Sequence, residues 1–303
     1  MKPRVTVIVP NYNHASFLDM RLKSIFNQTY SDYEVIILDD NSSDDSISVI
    51  EHYINNSHVS QIIYNKTNSG SPFVQWSRGF LLAQGELIWI AESDDDCDPR
   101  FLEKLVCEFD KDEKLSFAFA RSVKMDELGK KYNILQPMFP ADLHMNGKQF
   151  IKKYLIWGNK VWNASSVLFK KDYALSVNPQ YKNFRGAGDW LFWIEMSEKG
   201  NVSVISEPLN YYRLYNSNTT NRMRLLGEED IEDRNIYCYF ERKGYISRLD
   251  KCRLLKQYAY NIRYNNNYQS SDIRQNSLKL WNFSIIIRFL GYLTYLKYGR
   301  YKK

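Results

Sequence analysis

Through the first hundred residues, short apolar runs rich in Val and Ile alternate with segments of helical period, and this alternation constrains the fold more than any other feature of the chain. Residues 5–9 form a compact β-branched run ended by Pro10, which reads as a buried strand. Behind an Asn-Tyr-Asn-His turn, Leu18, Leu22, Ile25 and Phe26 recur at helical spacing, with Ser16 available as an N-cap. Residues 34–38 give the next strand, Ser42 or Ser43 opens a helix carrying Ile47, Ile50 and Ile54, and residues 61–64 give a third strand. Pro72 suits the first turn of a helix that Gly85 ends, before a fourth strand at 87–91. Strands alternating with helices in this way run parallel, because a parallel pair needs a long crossover, and such crossovers are right-handed. The chain is therefore expected to be an α/β protein built on a mostly parallel sheet.

From residue 100 to 212 the alternation loosens. The pattern predicts a helix at 101–109, a strand at 115–121, a hairpin around Glu127-Leu128-Gly129, a helix at 149–157, a strand at 165–169, a helix at 190–199 and two strands at 202–205 and 209–213. This reads as a mixed-sheet extension of the same domain. Beyond Asn221, Leu249, Cys252, Leu255, Tyr258, Ala259 and Ile262 keep helical spacing, while Asn265-Asn266-Asn267 marks a break. The expected organisation is one domain over 1–221, divided into 1–98 and 99–221, followed by a helical region over 222–303. Charge divides at the same boundary: 24 basic and 27 acidic residues lie up to Asn221, against 17 basic and 8 acidic beyond it.

Composition excludes some classes. With 44% hydrophobic and 25% charged residues the chain is globular rather than disordered, and 303 residues can bury a core without disulfide staples. The four cysteines form no Cys-x-x-Cys pair and there are only four histidines, so a structural zinc site is not expected and the thiols are read as reduced, in the cytoplasm. No apolar leader with a cleavage site opens the sequence, so secretion is not expected. The longest apolar run, residues 280–296, is interrupted by Asn282, Ser284 and Arg288 and falls short of the ~20 residues a spanning helix needs.

Ligands of parallel sheets bind outside the carboxyl ends of the strands. Here those ends carry Pro10, Asn11, Tyr12 and Asn13; Asp39, Asp40, Asn41 and Ser42; residues 65–70; and residues 92–98. The last of these holds Glu92, Asp94, Asp95 and Asp96 within five residues. Carboxylates packed this closely repel unless water or a cation screens them, and hard divalent ions prefer such oxygen donors. The plain alternative is a solvated turn in which Asp98 favours the N-terminus of the helix after Pro99; the preceding strand tips the reading toward a metal. Asp39 and Asp40 can accept from a base or a ribose, or can serve ordinary turn and cap chemistry. His14 beside the first turn reads as a hydrogen-bonded loop histidine rather than a catalytic one. Neither G-x-G-x-x-G nor a Walker loop is present, so phosphates would be held by a metal rather than by a glycine nest.

An ordered set of short motifs resembles the family-2 glycosyltransferases of the GT-A fold: Pro10-Asn11-Tyr12-Asn13, residues 38–44 (LDDNSSD), Asn68-Ser69-Gly70, Ala83-Gln84-Gly85-Glu86 and Ser93-Asp94-Asp95, over residues 4–221. The resemblance implies an α/β GT-A core, with 1–98 as the nucleotide-sugar half and 99–221 as the acceptor half. It implies that Pro10, Tyr12 and Asn13 line the nucleotide site, with Tyr12 stacking and hydrogen bonding. Asp40 would read the base, expected to be uracil, with Asp39, Asn68 and Arg78 in the same site; many relatives carry Asn where Arg78 stands. Asp94 would face ribose and metal, and Asp95 would bind the Mn or Mg that bridges the donor diphosphate. Glu92 stands where many members have the first Asp of Asp-x-Asp. The segment 186–193 (GAGDWLFW) resembles the one that supplies the catalytic base, which assigns that role to Asp189. Trp190 and Trp193 are candidates for an acceptor platform, although aromatics at this spacing are more often core. Where a His can complete the metal shell in relatives, this chain has Tyr215, a poor ligand for Mg or Mn, so either water fills that position or the metal binds more weakly.

The implied function is metal-dependent transfer of a sugar, with inversion, from a nucleotide donor such as a UDP-sugar to a glycan or lipid-linked acceptor in cell-surface polysaccharide synthesis. The alternatives are a nucleotidyltransferase on a related sheet, which lacks support from any basic glycine-rich loop, and a non-catalytic sugar or nucleic-acid binder. Between Tyr237 and Tyr301 there are 11 tyrosines among many Lys and Arg residues. This tail reads as a structural cap or as a patch on anionic lipid, with Trp281, Phe283, Ile286, Ile287, Leu290 and Leu293 sinking while Arg288, Lys297, Arg300, Lys302 and Lys303 meet headgroups. That would make the protein peripheral at the inner face of the plasma membrane. No nucleic-acid motif accompanies the charge, so no nucleic-acid partner is expected.

Overall fold

The computed structural model describes residues 2–214 and 219–298. Two compact units divide the chain, Met1–Ile151 with Asn159–Tyr215, and Lys152–Gly158 with Asn216–Lys303. The sequence puts this division after Asn221 and gives no sign that residues 152–158 group with the second unit.

In the first unit the alternation read from sequence appears as β1 (Val5–Asn11), α1 (Ala15–Phe26), β2 (Tyr33–Asp39), α2 (Ser46–Glu51), β3 (Val59–Tyr64), α3 (Pro72–Leu82) and β4 (Leu87–Ile90). There follow β5 (Asp96–Cys97), α4 (Phe101–Lys111), β6 (Leu115–Met125), β7 (Lys131–Ile134), β8 (Leu143–Asn146), α5 (Gly147–Lys153), β9 (Val167–Lys170), α6 (Lys171–Leu175), α7 (Gly188–Ser197) and β10 (Asn201–Arg213). One sheet runs in the order β3-β2-β1-β4-β9-β6-β10-β5, with β7 beside β6 and β8 beside β10. Strands β1 to β4 pair in parallel, whereas β9 is antiparallel to both β4 and β6. The expected mixed extension is thus joined to the parallel half by β9.

Strand alternation sends the two faces of the sheet into two different cores. Val5, Val7 and Val9 face α1, where Leu18, Leu22 and Ile25 are buried with Val35, Ile37 and Trp89. The opposite face is aromatic: Phe169 lies 5.6 Å from both Phe192 and Trp193, and Phe117 lies 5.4 Å from Trp193. Helix α3 approaches β1 at Gly79, where a Cβ would come within 2.6 Å of Ile8.

Three local expectations change. The two strands at 202–205 and 209–213 are one strand, β10, whose register against β6 shifts on either side of Pro208. Proline cannot donate to the ladder and so sits at the irregularity. Ser16 lies inside α1, and it is Asp44 Oδ2 that accepts from the Ala15 N–H at 2.9 Å. Helix α2 starts at Ser46, because Ser42 turns back onto Asp39.

The second unit contains α8 (Thr219–Leu226), α9 (Glu228–Lys243), α10 (Arg248–Tyr260), α11 (Ser271–Trp281) and α12 (Ile285–Tyr298). A capping box between Ser247 and Asp250 starts α10, and the Ser270 hydroxyl caps α11. At the expected break, α10 widens into a π-turn at Asn261–Asn265. Its core gathers Tyr237, Leu254, Ala259, Ile262, Trp281, Phe283 and Ile287. Trp281, Phe283 and Ile287 are therefore core residues and not lipid-facing ones: Trp281 stacks on Tyr258 with ring centroids 4.1 Å apart. The exposed apolar residues of α12 are Ile285, Ile286, Phe289 and Leu293, with Ile285 at 85% exposure. Among the described residues no helix is long and apolar enough to cross a membrane.

Candidate active site

The ends of β1 and β2 are locked together by hydrogen bonds. Pro10 follows the last β1–β4 pair, Ile8 with Ile90, so its missing N–H interrupts no ladder bond there. Asn13 and Asn41 take φ of 55° and 64°, left-handed conformations that Asn tolerates. Asn13 Oδ1 accepts from the Ser43 N–H at 2.7 Å. Asp39 is buried and accepts from Asn11 Nδ2 at 2.8 Å, from the Ser42 hydroxyl at 2.6 Å and from the Ser42 N–H at 3.0 Å. Asp40, also buried, accepts from Asn65 Nδ2 at 2.6 Å, Gln75 Nε2 at 2.7 Å, the Ser69 hydroxyl at 2.7 Å and the Ser69 N–H at 2.9 Å. Asn68 Nδ2 donates to the Asp40 carbonyl at 3.1 Å, and exposed Arg78 donates to Asn65 Oδ1. Tyr12 stands open at 48% exposure. Asn13, Asp39 and Asp40 thus belong to one polar corner, in which the Asp40 N–H also donates to the Asn11 carbonyl at 2.8 Å.

The acidic turn after β4 has a different character. Glu92 Oε1 accepts from the Trp76 indole at 2.8 Å, yet its carboxyl is pushed up to about 8 by burial first and by the charge of Asp94 next. Asp95 is buried, with Oδ1 accepting from the Arg213 N–H at 3.0 Å and Oδ2 from Asn163 Nδ2 at 2.9 Å; burial and Asp94 push it up to about 7. Asp94 is part-exposed, and Arg213 Nε donates to its carbonyl at 2.7 Å. His14 Nδ1 lies 2.7 Å from the Ser93 hydroxyl, tying the first turn to the acidic one.

Several residues of this corner escape a reading of the sequence. Arg213 ends β10 and donates through Nη1 to the carbonyls of Asp126 and Glu127 as well, so one buried guanidinium fixes the acidic turn and the β6–β7 hairpin. Arg21 is fully buried on α1 with its guanidinium 4.8 Å from the centre of the Trp89 ring and beside the Cys97 thiol, and its charge opposes the rise at Asp95 and Glu92. Its signal was present, as a cation at helical spacing between Leu18 and Ile25 on the apolar face.

Asp189 lies in the first turn of α7, where Oδ2 accepts from Asn159 Nδ2 at 2.7 Å and Oδ1 from the Trp190 N–H at 2.7 Å. Its relation to the acidic turn is carried by Tyr212 on β10. That hydroxyl is raised well above the usual tyrosine range by burial and then by the charges of Asp95, Asp94 and Asp189. Trp190 and Trp193 do not form a platform: both are buried, and Trp193 packs among Phe117, Phe169 and Phe192. The exposed indole of this neighbourhood is Trp162, at 41% exposure and with φ of 70°, between Asn159, which holds Asp189, and Asn163, which holds Asp95.

The family model for glycosyl transferase family 2 matches residues 6–168, more than half of the chain. The chain belongs to glycosyltransferase family 2. One relative in the family, the poly(ribitol-phosphate) β-N-acetylglucosaminyltransferase TarP of Staphylococcus aureus, is 30% identical over 220 residues, covering 70% of this chain and 63% of TarP. The putative teichuronic acid biosynthesis glycosyltransferase TuaG of Bacillus subtilis is 25% identical over 218 residues, covering 71% of this chain and 81% of TuaG. Among solved structures, S. aureus TarS 1–349 in complex with UDP-GlcNAc superposes with a TM-score of 0.63 at 16% identity, over 99% of this chain and 92% of that one. The fold is the GT-A type expected of the family.

Burial first, and then the charge of Asp94, pushes up the carboxyls of Glu92 and Asp95, so a positive charge among them relieves the part of the rise that is repulsion. Among the described residues no three Asp, Glu, His or Cys side chains converge as a cage, and Tyr215 lies outside the described residues. The residues fit a cation held by one or two carboxylates that completes its shell with phosphate oxygens and water, as Mg does.

Proposed function

We propose that this glycosyltransferase moves a sugar, with inversion, from a UDP-sugar to a hydroxyl of a glycan or lipid-linked acceptor in cell-surface polysaccharide synthesis. The observation that carries the reading is the short segment 159–163, whose Asn159 donates to Asp189 at 2.7 Å and whose Asn163 donates to Asp95 at 2.9 Å, so that one stretch of chain links the proposed base to the proposed diphosphate corner. Names among the relatives and the UDP-GlcNAc bound to TarS support a UDP-linked donor.

In this reading Pro10, Tyr12, Asn13, Asp39, Asp40, Asn68 and Arg78 form the nucleoside site. Asp40 is held by four donor groups and accepts from the base N–H in place of one of them. Asp94 and Asp95, with Glu92 behind them, would hold Mn or Mg. Such an ion supplies positive charge against the negative charge that develops on the departing diphosphate. Asp189, oriented by Asn159 and the Trp190 N–H, takes the proton of the acceptor hydroxyl as its oxygen attacks the anomeric carbon. The bond to the diphosphate oxygen breaks on the opposite face, so configuration inverts. Trp162, in place of Trp190 and Trp193, offers the flat apolar face on which an acceptor ring can rest. Ile285, Ile286, Phe289 and Leu293 of α12, beside Lys297, support contact with an anionic membrane.

The test is UDP release from a panel of sugar nucleotides, with Mn, with Mg and in EDTA. Metal-stimulated release with one sugar nucleotide supports the proposal; no release with any of them overturns it. For the membrane part, the substitution pair Ile286→Asp and Phe289→Asp should abolish flotation with anionic vesicles, and unchanged flotation would refute it.

A further inference from the structure

The second unit contains a cavity of about 550 Å³ whose wall is strongly cationic. Arg263 comes from the π-turn, Arg274 and Lys279 from α11, and Arg288 from α12; Gln275 and Asn282 add neutral donors, and among the described residues no carboxylate lines the space. Among the described residues none of the four cations makes an ion pair with Asp or Glu. Arg274 Nε is buried without a hydrogen-bond partner, an expensive state for a charged donor unless a ligand supplies the acceptor. The backbone is shaped for the arrangement at two points. The π-turn adds a residue to α10, with the Asn266 N–H reaching back to the Asn261 carbonyl at 2.8 Å, and Asn282 ends α11 in a left-handed conformation with φ of 43°.

Like charges gathered without counter-ions repel, and planar guanidinium groups match tetrahedral oxyanions with two parallel N–H bonds each. We propose that this cavity binds a phosphate or diphosphate group. The chemistry is shared by the phosphate of a lipid and by a soluble phosphoester, and it is separate from the donor site, which uses carboxylates.

The experiment titrates inorganic pyrophosphate, in EDTA, into the full chain and into the double variant Arg263→Gln, Arg288→Gln, with melting temperature as the check on folding. The expected result is saturable binding that weakens with salt, falls at least about tenfold in the double variant, and survives Asp94→Asn. Arg242→Gln with Lys243→Gln, on α9 and outside the cavity wall, should leave it unchanged. Lys279→Gln, an exposed single substitution, should give a smaller loss and keeps the test valid if the double variant melts early. A second arm uses neutral vesicles carrying a polyprenyl diphosphate: loss of vesicle binding in the double variant assigns the group to a lipid, whereas loss of pyrophosphate binding alone assigns it to a soluble phosphoester. Equal pyrophosphate binding by parent and variants, or equal weakening by the α9 pair, would overturn the proposal. Because Asp94→Asn is scored in parallel, failure here is distinguishable from failure of the donor site.

Discussion

Two acidic corners stand at the ends of β2 and β4, the strands on either side of β1, and they are built on different plans. At the end of β2, Asp39 and Asp40 are saturated with donors from the protein itself. At the end of β4, burial first and then the charge of Asp94 push Glu92 and Asp95 up into the neutral range. In the first corner the protein's own donors hold the carboxylates in position. In the second, protons offset the burial and crowding at neutral pH, and a cation can take their place. Adjacent carboxylates in a sequence can therefore be held ready by donors or by protons, and the surroundings decide which.

That contrast can be broken most severely at Asp189. Asp189→Asn should lower sugar transfer by about 10²–10⁴-fold while UDP still binds, measured by turnover and by calorimetry; near-normal turnover would remove Asp189 from the mechanism. Asp94→Asn should come next, lowering metal-dependent UDP release about 100-fold with little change in melting temperature. Asp40→Ala should behave in the reverse sense. It leaves the donors of Asn65, Ser69 and Gln75 without their acceptor and should cost about 1–3 kcal/mol of stability by denaturant unfolding. If Asp40→Ala were neutral to stability, or Asp94→Asn as damaging to it, the distinction between the corners would be lost.

A smaller effect should appear with pH. The Glu92 carboxyl is raised from 4.5 to about 8, so the folded chain holds this proton more tightly than the unfolded one. Its contribution is complete below the unfolded value and is lost as pH rises through about 8. In EDTA the melting temperature of the parent should fall between pH 5 and pH 8 more than that of Glu92→Gln, and a cation that takes the proton's place should flatten the slope. Smallest of all, Trp162→Ala should raise the acceptor KM about two- to tenfold with donor hydrolysis intact. Trp162→Gly should do the same without lowering the melting temperature, since φ of 70° suits glycine.

The parallel half of the fold was legible because β1, β2 and β4 are buried along their whole length and so read as unbroken apolar runs. β10 was not, because Pro208 interrupts the pattern of a strand that continues through a shift in register. The strand-end acids announced themselves by position, and Asp189 by resemblance to the family. What remained hidden depends on contacts between distant segments. Arg213 reads as the polar end of a strand, yet its N–H bonds Asp95 from 118 residues away. Tyr212 shows no motif of its own. The indoles show the same limit from the other side: Trp190 and Trp193 lie beside the proposed base in sequence but inside the core in space, while Trp162 lies outside it.

We propose that the corner of Asp94 and Asp95 is completed by a dication together with a diphosphate. Thermal unfolding with UDP, in Mn and in EDTA, tests it most directly, because a ligand that binds only the folded chain raises its melting point. The account predicts a UDP-dependent rise in Mn that disappears in EDTA and in Asp94→Asn. An equal rise in EDTA, or one that persists in Asp94→Asn, would contradict it.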